Sequence, residues 1–251
     1  MVLLLLVDLD PDLAALVPLG GFFPLRTGAP PRPGLPTLAD AYADPPAAAG
    51  PDPLTFRVRK VGDALRAPEP RVAASLAQQG LAARLWSVAL GCAVRYDRLP
   101  DLDPRLLRWD PDAAAPDDLW LTAVRPRPAD PAALADAVLL GHLEPLAGAL
   151  RARHPIAPGL LRGNAASALA GTARQLSRWA RAHGRADDDA RTRDLAARLL
   201  AHPLLAPTHT LTGTAFLRRS CCLYYRVPGG GVCGDCCFPR PPRPSARGTS
   251  G

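Results

Sequence analysis

The stretch RVAASLAQQGLAARLWSVAL, residues 71–90, has the pattern of a long helix with one apolar face. Its larger apolar side chains recur at roughly helical spacing, with alanines between them: Val72, Leu76, Leu81, Leu85 and Val88. Alanine and leucine favour helix more than most other residues do. Only Gly80 weakens the expectation of an unbroken helix. This stretch predicts a helix in the core of a mainly helical protein.

Three later helices follow from similar patterns. The pair Asp130–Pro131 offers a capping side chain and then a proline for the first helical turn. Leucines follow at helical spacing, and Pro145 is expected to kink or split that helix. A further helix is predicted over residues 165–183, with Asn164 as its cap. The last is predicted over residues 187–201, where three aspartates in the first turn suit the positive end of the helix dipole.

Strands are expected to be few and short. TFRVRKV (55–61) alternates weakly and predicts a short strand, and LWLTAV (119–124) predicts a strand or a buried turn. The apolar run at residues 2–7 is interpreted as the start of a core strand or helix. No basic residue precedes this run, as one would in an export signal. We therefore expect a cytoplasmic protein without a transmembrane segment, in which thiols stay reduced.

The fold class predicted is mainly α, a helical domain with a few short strands and a C-terminal Cys-rich, Gly-turn segment. The expected divisions are a helical domain at residues 1–215, a metal-binding segment at 216–238 packed on it, and a disordered tail at 239–251. Hydrophobic residues make up 48% of the 251 residues, which is enough for a sizeable core. The formal charge is +7, and 29 of the 30 basic residues are arginine. That excess has two interpretations: GC-rich coding, or a basic surface for an acidic partner.

The segment SCCLYYRVPGGGVCGDCCF, residues 220–238, holds five of the six cysteines. Cys221, Cys222, Cys233 and Cys236 form the pattern C-C-x10-C-x2-C, and glycines between the pairs let the chain double back. A C-x-x-C pair can turn both sulfurs onto one metal centre. The spacing favours an iron–sulfur cluster, because adjacent cysteines are unusual in zinc sites. A zinc site and thiol redox chemistry without metal stay open as alternatives.

The longer segment FLRRSCCLYYRVPGGGVCGDC (216–236) resembles the C-terminal 2Fe-2S motif of the FhuF family, the ferric siderophore reductases. The cysteine spacing matches the family's signature without gaps. Weaker resemblance covers most of the chain from about residue 15, through ASLAQQGLAARLWS (74–87), LGHLEPL (140–146) and LLRGNAASALAG (160–171). The resemblance implies that the ligands of the cluster are Cys221, Cys222, Cys233 and Cys236. Cys237 lies outside the family's four-cysteine set and is expected to be a bystander.

By implication of this resemblance, the protein is an oxidoreductase that reduces Fe(III) in a ferric siderophore, of the hydroxamate type, and releases Fe(II) in the cytoplasm. The electron donor would be a ferredoxin or a flavin reductase, and no nucleic acid partner and no catalytic acid, base or nucleophile is expected. Arg218, Arg219 and Arg226 are expected to offset the negative charge of the cluster, and His142 to be packed in the core. Two other functions stay open: a zinc-stabilised helical binding module, and an iron–sulfur sensor of iron or redox state.

Overall fold

The computed structural model describes residues 9–43, 52–212 and 215–242. Helix makes up 54% of it, which confirms the mainly α fold class. The described α-helices are α1 (Leu38–Tyr42), α2 (Pro53–Leu65), α3 (Pro70–Tyr96), α4 (Pro131–Leu134), α5 (Glu144–Arg153), α6 (Pro158–Ala182) and α7 (Ala186–Leu200). The predicted apolar element at residues 2–7 and most of the predicted tail lie outside the described residues.

Helix α3 is the centre of the molecule. It packs along α6 and against α2, and α6 also packs along α7. The predicted helix over residues 71–90 is confirmed, with Gly80 inside it, and extends to Tyr96. Gly91 lets an N-terminal 3-10 turn approach the helix closely, since a Cβ at this position would lie 2.9 Å from the side chain of Leu16. These contacts bury α3 in the hydrophobic core over most of its length.

The strands are short and lie at the edges of the helical body. They are β1 (Arg26–Thr27), β2 (Leu99–Pro100), β3 (Leu107–Trp109), β4 (Leu119–Leu121), β5 (Pro126–Arg127), β6 (His209–Thr212) and β7 (Ala215–Arg218). The first sheet has the order β1-β4-β3, with β1 parallel and β3 antiparallel to β4. β2 pairs with β5, and β6 pairs with β7 in an antiparallel hairpin that leads directly into the cysteines.

Two sequence-based expectations were wrong. Residues 55–61 belong to helix α2, because Asp52 caps its first turn, Pro53 opens it, and Leu54 and Val58 bury one helical face. Asn164 is not a cap. Helix α6 begins at Pro158, so Asn164 lies inside the helix with its side chain completely buried.

The expected cap was correct: Asp130 caps α4 by accepting hydrogen bonds from two backbone N–H groups. Pro145 does not split the helix that follows, because a π-helical segment, Ala135–Leu143, leads without a gap into α5. The continuous stretch Pro131–Arg153 is long and apolar enough to cross a membrane by length and composition alone. In the structure, 56% of its apolar window is buried inside the protein, as in a core helix.

Candidate metal centre

The cysteine segment, residues 220–238, follows β7 and folds back through a 3-10 turn at Tyr224–Arg226 and the glycine turn. Two of the glycines are required there. Gly229 has a φ of 74°, in the left-handed region, and a Cβ on Gly230 would lie 2.3 Å from the carbonyl oxygen of Tyr224. The turn thereby brings the C-x-x-C pair back to the adjacent cysteines.

The thiols lie close enough to influence one another. Cys221 raises and Cys233 lowers the pKa of Cys222, and Cys236 and Cys237 interact in the same way. Cys221 also interacts with Cys236 and Cys237, because the charges of these two thiolates raise its pKa. The contact with Cys222 outweighs them and holds the pKa of Cys221 below its usual value, whereas the same kind of contact raises the pKa of Cys233.

All four predicted ligands are free thiols. Among the residues that the structure describes, no group of three or more His, Cys, Asp or Glu side chains is arranged around one metal ion. A 2Fe-2S cluster needs only two cysteine ligands at each iron, because its four cysteines are divided between two irons. Cys222 is influenced by Cys221 and by Cys233, on the two sides of the glycine turn, which is consistent with such a divided set of ligands.

Arg218 is buried beside these thiols, with 2% of its surface exposed. Its Nε donates to the carbonyl oxygen of Ser220 at 3.0 Å, and its Nη2 donates to Asn164 Oδ1. Its Nη1 is buried without a partner, and no carboxylate pairs with the guanidinium among the described residues. The charge of Arg218 lowers the pKa of Cys222 and of Cys233.

A buried charge without a counter-ion is costly, and it needs a negative group nearby. Four thiolates and a 2Fe-2S core together carry net negative charge. The donors present therefore fit this cofactor in two respects: the four sulfur ligands, and a buried cation with an unused N–H beside them. Hydrogen bonds and charges near the sulfurs are among the features that set the reduction potential of such clusters.

Helices α3 and α6 hold the first cysteine pair in place. Asn164 donates from Nδ2 to the backbone oxygen and the hydroxyl of Ser75, at 2.9 and 3.0 Å. The Ser75 hydroxyl in turn donates to the carbonyl oxygen of Cys222 at 2.8 Å. Gly163 permits the close approach of the segment, since a Cβ there would lie 2.5 Å from the hydroxyl oxygen of Ser220.

Asp235 fixes the second pair, because it is the residue between Cys233 and Cys236 that faces α6. Its carboxylate accepts from the hydroxyl of Ser167 at 2.7 Å and forms an ion pair with Arg174 at 2.9 Å. Its backbone oxygen accepts from the N–H of Arg218 at 3.0 Å. No motif or spacing in the sequence pointed to Ser75 or Asp235 as part of this site.

The three arginines expected to offset the cluster differ in position. Arg218 is buried, whereas Arg219 and Arg226 are exposed. Arg226 pairs with Glu69 and lies over the ring of Tyr225. The expectation is therefore supported most strongly for Arg218.

Two further side chains belong to the core, as the sequence indicated for His142. Cys92 is completely buried. His142 is also completely buried, and its Nε2 bonds to the carbonyl oxygen of Leu102 at 2.6 Å. Since a carbonyl oxygen only accepts, Nε2 carries the proton, and Nδ1 accepts from the hydroxyl of Tyr42 at 2.9 Å. His142 is thus a packed core residue.

Comparison with known proteins identifies the cysteine segment. Residues 218–238 match the family model described as the FhuF 2Fe-2S C-terminal domain. No curated protein matches the chain. The match decides between the alternatives that spacing left open for the cofactor, because this domain is described as one that holds a 2Fe-2S cluster rather than zinc. Residues 218–238 are therefore similar to the C-terminal 2Fe-2S domain of the FhuF family.

Proposed function

We propose that this protein reduces the Fe(III) of a ferric siderophore to Fe(II) in the cytoplasm, using a 2Fe-2S cluster held by Cys221, Cys222, Cys233 and Cys236. The observation that carries the proposal is the matched cysteine motif, with Cys222 in contact with its neighbours and a buried, uncompensated Arg218 beside them. The hydroxamate class of the siderophore stays a prediction, as do the domain divisions at residues 215 and 238.

Such a cluster, when bound, supplies one electron at a time, at a potential set by its surroundings. One electron from an external donor converts Fe(III) to Fe(II), and no bond in the chelator is made or broken. Fe(III) is a hard cation that hydroxamate or catecholate oxygens hold tightly, whereas Fe(II) is held far more weakly. Reduction therefore releases the metal and leaves the chelator intact.

The chain's own residues have three tasks in this reaction. The thiolates hold the cluster, and Arg218 stabilises negative charge beside them, which favours the reduced state. The contacts of Ser75 and Asp235 fix the two cysteine pairs to α3 and α6. Reduction requires no general acid or base, and accordingly none of the polar side chains around the thiols is assigned such a role.

The electron donor has access to the outer side of the cysteine segment. Tyr224, Val232 and Phe238 are large apolar residues there that remain exposed to solvent. Residues 216–251 contain six arginines and one aspartate, a net charge of +5. This charge would steer an acidic electron donor, such as a ferredoxin or an acidic flavin reductase, toward the segment.

The test uses the full chain purified and loaded with iron and sulfide under anaerobic conditions. After chemical reduction, the protein is mixed with a ferric siderophore while its visible absorption is followed and Fe(II) is trapped by a chromogenic chelator. We expect reoxidation in step with Fe(II) release, and no reoxidation with the Ga(III) form of the same siderophore. A protein with a 2Fe-2S spectrum that ferric siderophores never reoxidise would overturn the proposal.

Matched serine variants assign the ligands. Cys222→Ser and Cys233→Ser should lose the 2Fe-2S spectrum and the associated iron. Cys237→Ser, in the same segment, and Cys92→Ser, in the core, should retain both. Loss of the cluster in Cys237→Ser with retention in Cys236→Ser would show that the ligand set is wrong.

A further inference from the structure

A concave groove lies beside the cysteine segment, and its lining residues have no role in the reaction described above. It has a volume of about 590 Å³ and lies between α6, α7 and the β6–β7 hairpin. Its floor is apolar and formed by alanines of both helices together with Leu200, Leu211 and Phe216. Leu211 is exposed over 49% of its surface. Pockets for small molecules have volumes of this order and a largely apolar lining.

Four arginines form the rim of this arginine groove: Arg174, Arg178, Arg181 and Arg193. Two carboxylates are shared among three of them. Asp235 pairs with Arg174 at 2.9 Å, and Asp189 lies 3.2 and 3.6 Å from Arg181 and Arg193. Arg178 forms no ion pair with any described residue, so the rim keeps a net positive charge of two.

The groove is connected to the cysteines by a single ion pair. Arg174 at its end binds Asp235, and Asp235 directly precedes Cys236. Phe216 on its floor lies on β7, the strand that leads into the cysteine segment. A ligand at the Arg174 end of the groove therefore lies near Asp235, the residue between the two cysteines of the C-x-x-C pair, on the face where α6 supports the segment.

We infer that the arginine groove binds the ferric siderophore itself, and that it selects chelates with net negative charge. This inference rests on the proposed function and names the substrate class for it. Guanidinium groups donate paired hydrogen bonds to anionic oxygens, and the alanine floor leaves space for an apolar or aromatic ligand body. Catecholate complexes meet both conditions, as do hydroxamates that also carry carboxylates. A neutral trihydroxamate complex gains nothing from the charge of the rim.

Binding is tested without electron transfer, so that its outcome is independent of the redox proposal. The probes are the Ga(III) complexes of a tricatecholate, which is trianionic, and of a neutral trihydroxamate, titrated calorimetrically into the cluster-loaded protein. We expect the trianionic complex to bind at least about tenfold more tightly, and increasing salt to remove most of the difference. Equal affinity for the two complexes would overturn the inference.

Two pairs of variants locate the site. Arg178→Glu should weaken binding of the tricatecholate complex by about tenfold, whereas Arg151→Glu, an exposed arginine on α5 without an ion pair in the described structure, should change it less than about twofold. Ala197→Trp should fill the groove and weaken binding of both complexes. Ala152→Trp, at an exposed position of α5, is its control.

Three outcomes separate the two proposals. Weaker binding in Arg178→Glu and Ala197→Trp, with intact reduction of the ferric complex by wild-type protein, supports both. Tight binding of the Ga(III) complex without reoxidation by its Fe(III) form refutes the reductase and leaves the binding site. Unchanged affinity in both variants refutes the groove as a siderophore site, and slower reduction of those variants by an acidic ferredoxin would then assign it to the donor.

Discussion

Replacing Asn164 by leucine tests whether the buried polar network beneath the cysteines is built around Arg218. Leucine has the same branching as asparagine but is larger, so the change removes hydrogen bonds and creates no cavity. Asn164 accepts from Arg218 Nη2 and donates to the backbone oxygen and hydroxyl of Ser75. The substitution leaves Nη2 of the buried guanidinium with only a long contact, 3.5 Å, to the carbonyl oxygen of Leu160, in addition to the unpartnered Nη1.

The expected cost follows from these contacts. A hydrogen bond to a charged group contributes about 2 kcal/mol, and neutral ones contribute about 1 kcal/mol each. The larger apolar side chain recovers part of this by burial, which leaves a net loss of about 3 kcal/mol. Domains are commonly stable by only about 5–15 kcal/mol, so this loss is a substantial fraction of the total.

The assay is urea unfolding of cluster-loaded protein under anaerobic conditions, followed by far-ultraviolet circular dichroism. With a slope of about 2–3 kcal/mol per molar, the Asn164→Leu midpoint should fall by about 1 M. Thr172→Val is the matched control. It lies on the same helix, is also buried, and forms one neutral hydrogen bond, to Ser87 at 3.2 Å, so it should cost about 1 kcal/mol or less.

A double-mutant cycle isolates the contact with Arg218. In an Arg218→Met background, Asn164→Leu should cost about 2 kcal/mol less than in the wild type, because the charged hydrogen bond is already absent. The reasoning is refuted if Asn164→Leu costs no more than Thr172→Val. It is refuted equally if the cost is the same with and without Arg218.

Three further predictions concern other parts of the structure. Asp118→Ala should destabilise the protein by about 3–5 kcal/mol in urea unfolding, because Arg84, 2.9 Å away, is left as an unpaired buried charge; the double variant Arg84→Met/Asp118→Leu should cost less. Burial lowers the pKa of His142 from 6.5 to about 4, so as the pH falls the unfolded chain is protonated before the folded chain and becomes favoured. The contribution of neutral His142 to the free energy of unfolding is complete above pH 6.5 and should fall by about 3 kcal/mol as the pH decreases toward 4. The variant His142→Gln should lack this pH dependence. Gly230→Ala should lower the iron bound per chain, since its Cβ would lie 2.3 Å from a backbone oxygen, whereas Gly234→Ala, with no atom within 4 Å, should not.

The helical body could be predicted where its signals are local. Helix α3 could be predicted because its signal, apolar residues at helical spacing among alanines, lies entirely within its own sequence. The error at residues 55–61 has the same local origin. Seven residues that alternate weakly also fit a helix, and the deciding signal was the capping pair Asp52–Pro53, which lies just before them.

The cysteine motif was visible in the sequence for a different reason. Their spacing is a property of one short segment, and chelation depends on residue type and on a turn that glycine permits. The partners of that segment were not predictable in this way. Arg218 and Asn164 are 54 positions apart, and Ser75 and Cys222 are 147 apart, so no periodicity relates them. The arginine groove could be predicted only in part. Arg174, Arg178 and Arg181 recur on one face of α6, but most of the apolar floor comes from other elements.

The cysteine motif depends on helices α3 and α6 for its electrostatic surroundings. The four cysteines alone specify that a cluster can bind, yet they do not fix its electrostatic surroundings. The compensating charge is on Arg218, whose orientation depends on Asn164 in α6 and, through it, on Ser75 in α3. A change in the packing of α3 against α6 therefore moves the guanidinium relative to the thiols without altering any ligand. Proteins with the same cysteine spacing can in this way differ in reduction potential, because the potential depends on the helices that support the segment as well as on the segment itself.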